Sequence, residues 1–290
     1  MRRATPLETV FVTVPALAVP AYEAAMADAC VAVGMFIADE AAGTWRVEGV
    51  KAAGDSPELL AGLAMAELAS GVSAVLYRED TDADGWLARV YEGFPEQLIG
   101  RRFAVRGTHV DDLELPGRFT LWLDAGLAFG SGEHGSTRGC LRALERVAYR
   151  RPARILDMGC GSGILAMGAA SLLKRRVLAV DIDPWSVRVA RQNAALNGLS
   201  GLMECRLGNG WHAPSVQGRV FDLVFANILA RPLCLMAGQL ASHLAVGGTA
   251  ILAGLLDTQV RAVVAAHRRQ GLRLEFVLGE GTWRTLVLRA

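Results

Sequence analysis

The segment Ile155-Leu156-Asp157-Met158-Gly159-Cys160-Gly161-Ser162-Gly163 passes from an apolar strand pattern into alternating glycines, and a helical pattern follows. Glycines at such a junction let the chain turn sharply and bring a ligand against a helix amino terminus without Cβ collisions. Asp181 ends the next apolar run, 22 residues beyond Gly159. A carboxylate at that place meets ribose hydroxyls in nucleotide-binding α/β folds. The chemistry indicated is nucleoside binding. A dinucleotide fingerprint would need glycine at position 164, which holds Ile164, so pyrophosphate recognition is poorly supported. A nucleoside-sensing module or a dehydrogenase-like binder shares this turn and stays open on these residues alone.

The elements that must position these groups read as strand, helix, strand. Arg154–Leu156 and Val177–Val180 flank a helix over Ile164–Leu173, and Asp183-Pro184 opens a second helix to about Asn197, closed by Gly198. Strands follow at Leu202–Leu207, Asp222–Ala226 and Thr249–Ala253. Continuous apolar runs alternating with helices indicate a parallel sheet covered on both faces. Leu272–Leu278 and Trp283–Leu288, joined through Gly-Glu-Gly, read as a closing antiparallel hairpin. The first eighty residues give a strand at Glu8–Val14, a helix at Tyr22–Val33 closed by Gly34, and strands at Met35–Ala38 and Thr44–Val50. A helix from Ser56-Pro57 to Ala69 and a strand at Val72–Tyr77 complete that series. The order βαββαβ predicts a ferredoxin-like α+β domain over residues 1–78. A connector over 79–118 contributes a strand near Arg102–Val105 and holds Trp86, Tyr91 and Phe94, and an α/β Rossmann-like domain occupies 119–290.

The chain has 290 residues, 52% apolar and 20% charged, so a sizeable core is available and wholesale disorder is excluded. Its net charge of +1 conceals a division. Residues 1–100 hold 6 basic against 15 acidic side chains, and residues 101–290 hold 24 against 14. An acidic front suits a basic polypeptide and argues against direct nucleic-acid binding. Cys30, Cys140, Cys160, Cys205 and Cys234 lie far apart with no C-x-x-C pair, which excludes a typical zinc site and suits a reducing cytoplasm. Glu8, Pro15 and Pro20 interrupt a signal-peptide pattern, so no leader is expected. The uncharged run Pro232–Leu256 contains Gln239, Ser242, His243 and Gly247-Gly248; it reads as a buried helix, a Gly-Gly turn and a buried strand. No membrane association is expected, and a monomer is.

Two further stretches sharpen the reading. One is Asp124-Ala125-Gly126-Leu127-Ala128-Phe129-Gly130-Ser131-Gly132-Glu133-His134-Gly135-Ser136-Thr137, and the other is Asn227-Ile228-Leu229-Ala230. With the glycine turn and Asp181-Ile182-Asp183-Pro184 they stand in the order D-P-G-x-A-F-G-T-G-x-H-x-T-T, G-C-G-S-G, D-I-D-P and N-I-L-A of the PrmA family. The chain resembles that family of class I S-adenosylmethionine-dependent methyltransferases over most of its length. The resemblance implies methylation of amino groups, on lysine side chains or an N-terminal α-amine, of the eleventh protein of the large ribosomal subunit. It also implies a front domain that grips this basic protein. Carried over residue by residue, Phe129, Thr137, Gly159, Gly161, Asp181 and Asn227 contact the cofactor, and Asn227 also positions the amine. No metal is implied. The departures are Ala125 for Pro, Ser131 for Thr, Glu133 at a variable place, Gly135-Ser136 before Thr137, and Arg231 where many members have Gly.

Other readings compete residue by residue. Thr137 also suits the cap of a helix over Arg138–Tyr149, and Asn227 a strand-end turn. His134 reads as a hydrogen-bonded scaffold residue more than a base. Arg138, Arg142 and Arg146 form a stripe explained by a solvated helix face, with contact to ribosomal RNA as the minority reading. Trp185, Trp211 and Trp283 read as packing. A methyltransferase of the same fold acting on another protein lysine or a small molecule is the alternative function. The position of Asn227 lacks the N/D-P-P-Y pattern of base-amino methyltransferases.

Overall fold

The computed structural model describes residues 7–27, 29–30, 32–39, 42–80, 96–108, 115–123 and 135–290. Two compact units divide the chain, Met1–Glu92 and Gly93–Ala290.

In the first unit, β1 (Leu7–Pro15), α1 (Val19–Ala27), β2 (Ala32–Asp39), β3 (Thr44–Ala52), α2 (Pro57–Ser70) and β4 (Tyr77–Asp80) form a four-stranded sheet of order β2-β3-β1-β4. Its ladders are antiparallel, giving the ferredoxin-like arrangement. Alternation along β1 sends Val10, Val12 and Val14 into the core with Tyr22, Met26, Val47 and Leu59. The Ser56 hydroxyl accepts from the Leu59 N–H at 3.3 Å, with Pro57 in the first helical turn of α2. Gly71 ends that helix at φ +69°, its N–H donating to the Glu67 carbonyl.

Two element boundaries differ from the expectation. The first helix stops at Ala27 instead of Val33, and Gly34 lies inside β2, opposite Glu48 of β3. Residues 32–39 gain a ladder with β3, and that pairing overrides the helical spacing. The last strand begins at Tyr77, where β1 supplies partners from Phe11 back to Glu8; residues 72–76 make no ladder. Lys51 and Glu8 form a buried pair at 2.5 Å, and the ammonium also donates to the carbonyls of Ala52 (2.7 Å) and Gly54 (2.6 Å). All three of its hydrogens are thereby used, which is what makes burial of the charge tolerable.

The second unit opens with β5 (Gln97–Ile99), β6 (Phe103–Gly107) and β7 (Phe119–Leu123), a small sheet of that order. Two of these strands fall within the expected connector; Trp86, Tyr91 and Phe94 lie outside the described residues. Then come α3 (Gly135–Val147), β8 (Ile155–Met158), α4 (Ile164–Leu173), β9 (Val177–Asp181), α5 (Pro184–Leu196), β10 (Met203–Leu207) and β11 (Phe221–Asn227). The chain continues with α6 (Ala230–Leu235), α7 (Ala237–His243), β12 (Leu244–Leu256), α8 (Val260–Arg268), β13 (Arg273–Glu280) and β14 (Trp283–Arg289). The seven strands β8 to β14 lie in the order β10-β9-β8-β11-β12-β14-β13. Strands β8 to β12 are parallel, and β14 runs antiparallel to both of its neighbours. Helices α3, α4 and α5 cover one face and α6, α7 and α8 the other, as the continuous apolar runs predicted.

The segment Pro232–Leu256 departs from its expected form in one respect. Gly247 and Gly248 sit within β12 as a bulge, with Phe221 opposite Leu244 and Leu223 already opposite Thr249. No helix of the described residues is long and apolar enough to cross a membrane.

Candidate functional site

The strand order reverses between β8 and β11, since β9 lies to one side of the pair and β12 to the other. At such a switch point the loops leaving adjacent strands diverge and open a crevice at the carboxyl ends. The glycine turn leaves β8 there, Asp181 ends β9, and Asn227 ends β11.

The glycine turn is fixed by its backbone. Gly159, Gly161 and Gly163 have φ of +71°, +51° and +79°, conformations that L side chains rarely adopt. The N–H groups of Gly159 and Cys160 donate to the Val180 carbonyl at 2.8 and 3.2 Å. Gly161 N–H donates to Asp181 Oδ2 at 2.8 Å, and Asp183 N–H to Asp181 Oδ1 at 3.0 Å. One carboxylate thus ties the glycine turn to the start of α5. Each of its oxygens keeps a lone pair, and Asp181 is only partly buried, so it can also accept from a diol in the crevice. Asn193, buried in α5, donates its Nδ2 to the Ser162 carbonyl at 2.9 Å and anchors the far side of the turn. Nothing in the sequence marks Asn193, because a polar residue within a helix pattern carries no sign of what it faces.

Across the crevice, Asn227 Nδ2 donates to Thr137 Oγ1 at 3.4 Å. This leaves Asn227 Oδ1 as an acceptor, and Thr137 is almost fully buried. The expected capping role of Thr137 is corrected: α3 begins at Gly135, so Thr137 lies inside the first turn instead of ahead of it. Gly254 in β12 escaped the sequence reading. At φ +81° it passes so close beneath the strand-end turn that a Cβ would stand 2.4 Å from the Ile228 carbonyl oxygen. An isolated glycine in an apolar strand is the one available signal for such an approach.

Phe129, Ser131 and His134 lie outside the described residues. Of the stripe, Arg146 is exposed, as a solvated face requires, and stands 5.5 Å over the Phe276 ring, whereas Arg138 and Arg142 are half-buried, with Glu280 on β13 pairing with Arg142 and, at 3.5 Å, with Arg138. Two arginines of the expected solvated face thus meet the terminal hairpin. Trp211 packs as expected, buried with its ring 4.9 Å from that of His243. Trp185 is half-exposed beside Asp183. The Cys160 thiol is pushed well up by burial, which removes it as a nucleophile. No cluster of His, Cys, Asp and Glu able to hold a metal occurs among the described residues.

Asp157 lies beneath the turn, with Oδ2 accepting from the Ala166 N–H at 3.0 Å and Oδ1 buried with no partner among the described residues. Burial pushes its pKa up to about 7. Between about pH 4 and 7 the unfolded chain therefore loses this proton while the native state keeps it. Stability is expected to fall as pH rises through that window and to level off above it, by up to roughly 4 kcal/mol. Asp157→Asn removes the ionisation, so urea unfolding should show the variant gaining on the parent protein from pH 4 to 8. Parallel pH profiles for the two proteins would overturn the assignment.

Fit to a nucleoside bearing a charged sulfur can be judged on these groups. A part-exposed carboxylate stands at the end of β9, and the N–H of Gly161, which carries no side chain, donates to it. Asp181 and Asp183 lie at and just beyond the carboxyl end of β9, whereas Asp257 and Glu280, at the ends of β12 and β13, are paired with Arg284 and with Arg138 and Arg142.

Comparison with known proteins agrees with this geometry. Residues 38–290 match the model of the family described as ribosomal protein L11 methyltransferase (PrmA). The chain is 40% identical over 257 residues to a ribosomal protein L11 methyltransferase of Rhizobium leguminosarum bv. trifolii, covering 88% of each chain. It is 42% identical over 234 residues to one from Mesorhizobium japonicum, covering 80% of this chain and 78% of that one. Among solved structures it is similar to a ribosomal protein L11 methylase from Lactobacillus delbrueckii subsp. bulgaricus, with TM-score 0.59 and 30% identity over 66% of this chain and 95% of that chain. A family match across both the glycine turn and the Asn227 strand end, together with a solved relative of the same fold, places the chain plainly: it belongs to the ribosomal protein L11 methyltransferase (PrmA) family.

Proposed function

We propose that this protein transfers methyl groups from S-adenosylmethionine to amino groups of ribosomal protein L11, on lysine side chains or the N-terminal α-amine. The observation that carries the reading is the convergence of the Gly159–Gly161 turn, Asp181 and the Asn227–Thr137 pair at one switch point. Asp181 would hold the ribose diol and the Gly159–Gly161 backbone the amino-acid portion, with Phe129 and Thr137 completing the pocket. The bound cofactor supplies a methyl group already activated by a positive sulfur.

The chain's own residues then have a restricted task. The amine must arrive neutral, although a free lysine has a pKa near 10.4. Burial in the crevice disfavours the ammonium form. Asn227 Oδ1 can accept one of the remaining N–H bonds and so aim the nitrogen lone pair in line. The mechanism is thus positioning and exclusion of water, with no dedicated carboxylate base. The acidic first unit is suited to a basic polypeptide, and the reading gives residues 1–78 substrate recognition, 79–118 the connector and 119–290 catalysis. It further takes the enzyme to be a cytoplasmic monomer.

The test uses purified L11 and cofactor carrying a labelled methyl, with peptide mass spectrometry to locate the label. Label on lysine or the α-amine is expected. Absence of label on L11, or transfer to a small molecule in preference, would replace this substrate.

A further inference from the structure

The edge of the seven-stranded sheet opposite the crevice has a different chemistry. Five described turns lead into β8, β9, β10, β11 and β13, and every charged residue in them is basic. The turn before β8 and its short helix carry Arg150, Arg151 and Arg154, and the one before β9 is Lys174-Arg175-Arg176. Arg219 precedes β11 and Arg269 precedes β13. At the crevice end lie Asp181 and Asp183, with Asp257 and Glu280 paired to arginines, so the excess of basic charge belongs to the amino-end edge. Summing charge over half the chain concealed this, because the fold sorts charges by strand end and not by position in sequence.

This basic edge is also concave. A cavity of about 780 Å³ is lined by Arg154, Arg176 and Arg219, with Glu204 as its acidic side chain. A second, of about 340 Å³, is lined by Arg150, Arg151 and Arg289 with Asp222. A third, of about 400 Å³, is lined by Arg102, Arg151 and Arg175. The second shares Ala153 with the first and Arg151 and Pro152 with the third, so the three depressions adjoin in a row. Internal pairing consumes part of the charge: Arg154 meets Asp222 at 2.7 Å and Arg150 meets Glu275 at 2.8 Å. Arg151, Arg175, Arg176 and Arg219 are exposed, and among the described residues none has a carboxylate within 4.0 Å.

We propose that this amino-end face is a docking surface for the phosphodiester backbone of RNA. Three arguments select that occupant. The cations here are arginines beside Lys174, as in the chain at large, and the planar arginine fork matches phosphate oxygens bidentately. A row of adjoining depressions suits a flexible polyanion, whereas a planar bilayer meets such depressions poorly. The choice of RNA over an acidic peptide rests on reading the substrate as a ribosomal protein, which functions on RNA. The face lies a strand's length, on the order of 15 Å, from the crevice, so RNA there leaves the methyl-transfer site open.

The test is fluorescence anisotropy of the full-length protein with a short, mixed-sequence single-stranded RNA. Binding at about 50 mM salt is expected, weakening by 200 mM with a log–log slope near −3, as for about four released counterions. The variant Arg151→Glu/Arg175→Glu/Arg176→Glu/Arg219→Glu should lose at least about tenfold in RNA affinity. It should still methylate free L11 at the parental rate, so loss of RNA binding and failure of the substrate reading are separate results. Arg176→Glu and Arg219→Glu are also measured singly, each with an expected loss of about threefold, so that a misfolded quadruple variant still leaves a result. No binding at low salt, or equal binding by the charge-reversed proteins, would overturn the proposal. Competition by polyglutamate or by phosphatidylglycerol vesicles as strong as by RNA would overturn it too, in favour of an acidic peptide or a membrane.

Discussion

Asp181→Ala is expected to weaken binding of S-adenosylmethionine by about 100- to 1,000-fold in titration calorimetry. A carboxylate accepting two ribose hydroxyls contributes charge-assisted bonds worth about 1.5–3 kcal/mol each, and each 1.4 kcal/mol is tenfold in affinity. The same substitution removes the acceptors of Gly161 N–H and Asp183 N–H, so the glycine turn loses its tie to α5 as well. Asp181→Asn keeps one acceptor oxygen and should lose only about 10- to 30-fold. Because the side chain is only partly buried, the unliganded Asp181→Ala protein should unfold within a few degrees of the parent. Affinity within threefold of the parent for the alanine variant would remove Asp181 from the binding site.

Gly254→Ala is expected to lower stability by about 3 kcal/mol and methyl transfer by about 100-fold. Two costs combine. An L side chain at φ +81° is strained, typically by 1–3 kcal/mol. Its Cβ would also stand 2.4 Å from the carbonyl oxygen and 2.8 Å from the carbonyl carbon of Ile228, and main chain cannot swing aside as a side-chain end can. The turn after Asn227 must therefore shift, and displacement of an aligned group by about an ångström costs on the order of 100-fold in rate. The loss should appear in kcat more than in the cofactor KM, since Asp181 ends β9, which β8 separates from β11. Urea unfolding and steady-state kinetics read the two parts. A stable variant with parental kcat would show that the close approach is not needed.

Gly159 presents the milder case of the same geometry. A Cβ there would meet Ile228 Cγ2 at 2.6 Å, and that methyl can rotate away. Both glycines converge on Ile228 from different strands, one before the crevice in sequence and one almost a hundred residues later. The glycine turn was legible because its pattern is local: strand, close-set glycines, helix. Gly254 was not, because its reason lies on another strand.

The same division runs through the whole chain. Apolar periodicity, cap residues and the glycine turn are properties of short segments, so α2, α4, the parallel strands and the closing hairpin could be read from sequence. The spacing of Asp181 from Gly159 was likewise legible, since one helix and one strand fix it. Contacts made by the fold were beyond reach. The end of α1 was decided by the partner that β3 offers to residues after Ala32. The arginine stripe on α3 was decided by Glu280, over a hundred residues away, and Thr137 came to face Asn227 because α3 packs beside the end of β11. Charge shows this most plainly. Sequence determined how many arginines the second unit has, but chain direction decided that those in the turns before β8, β9, β11 and β13 share one edge, because parallel strands bring their entry turns together.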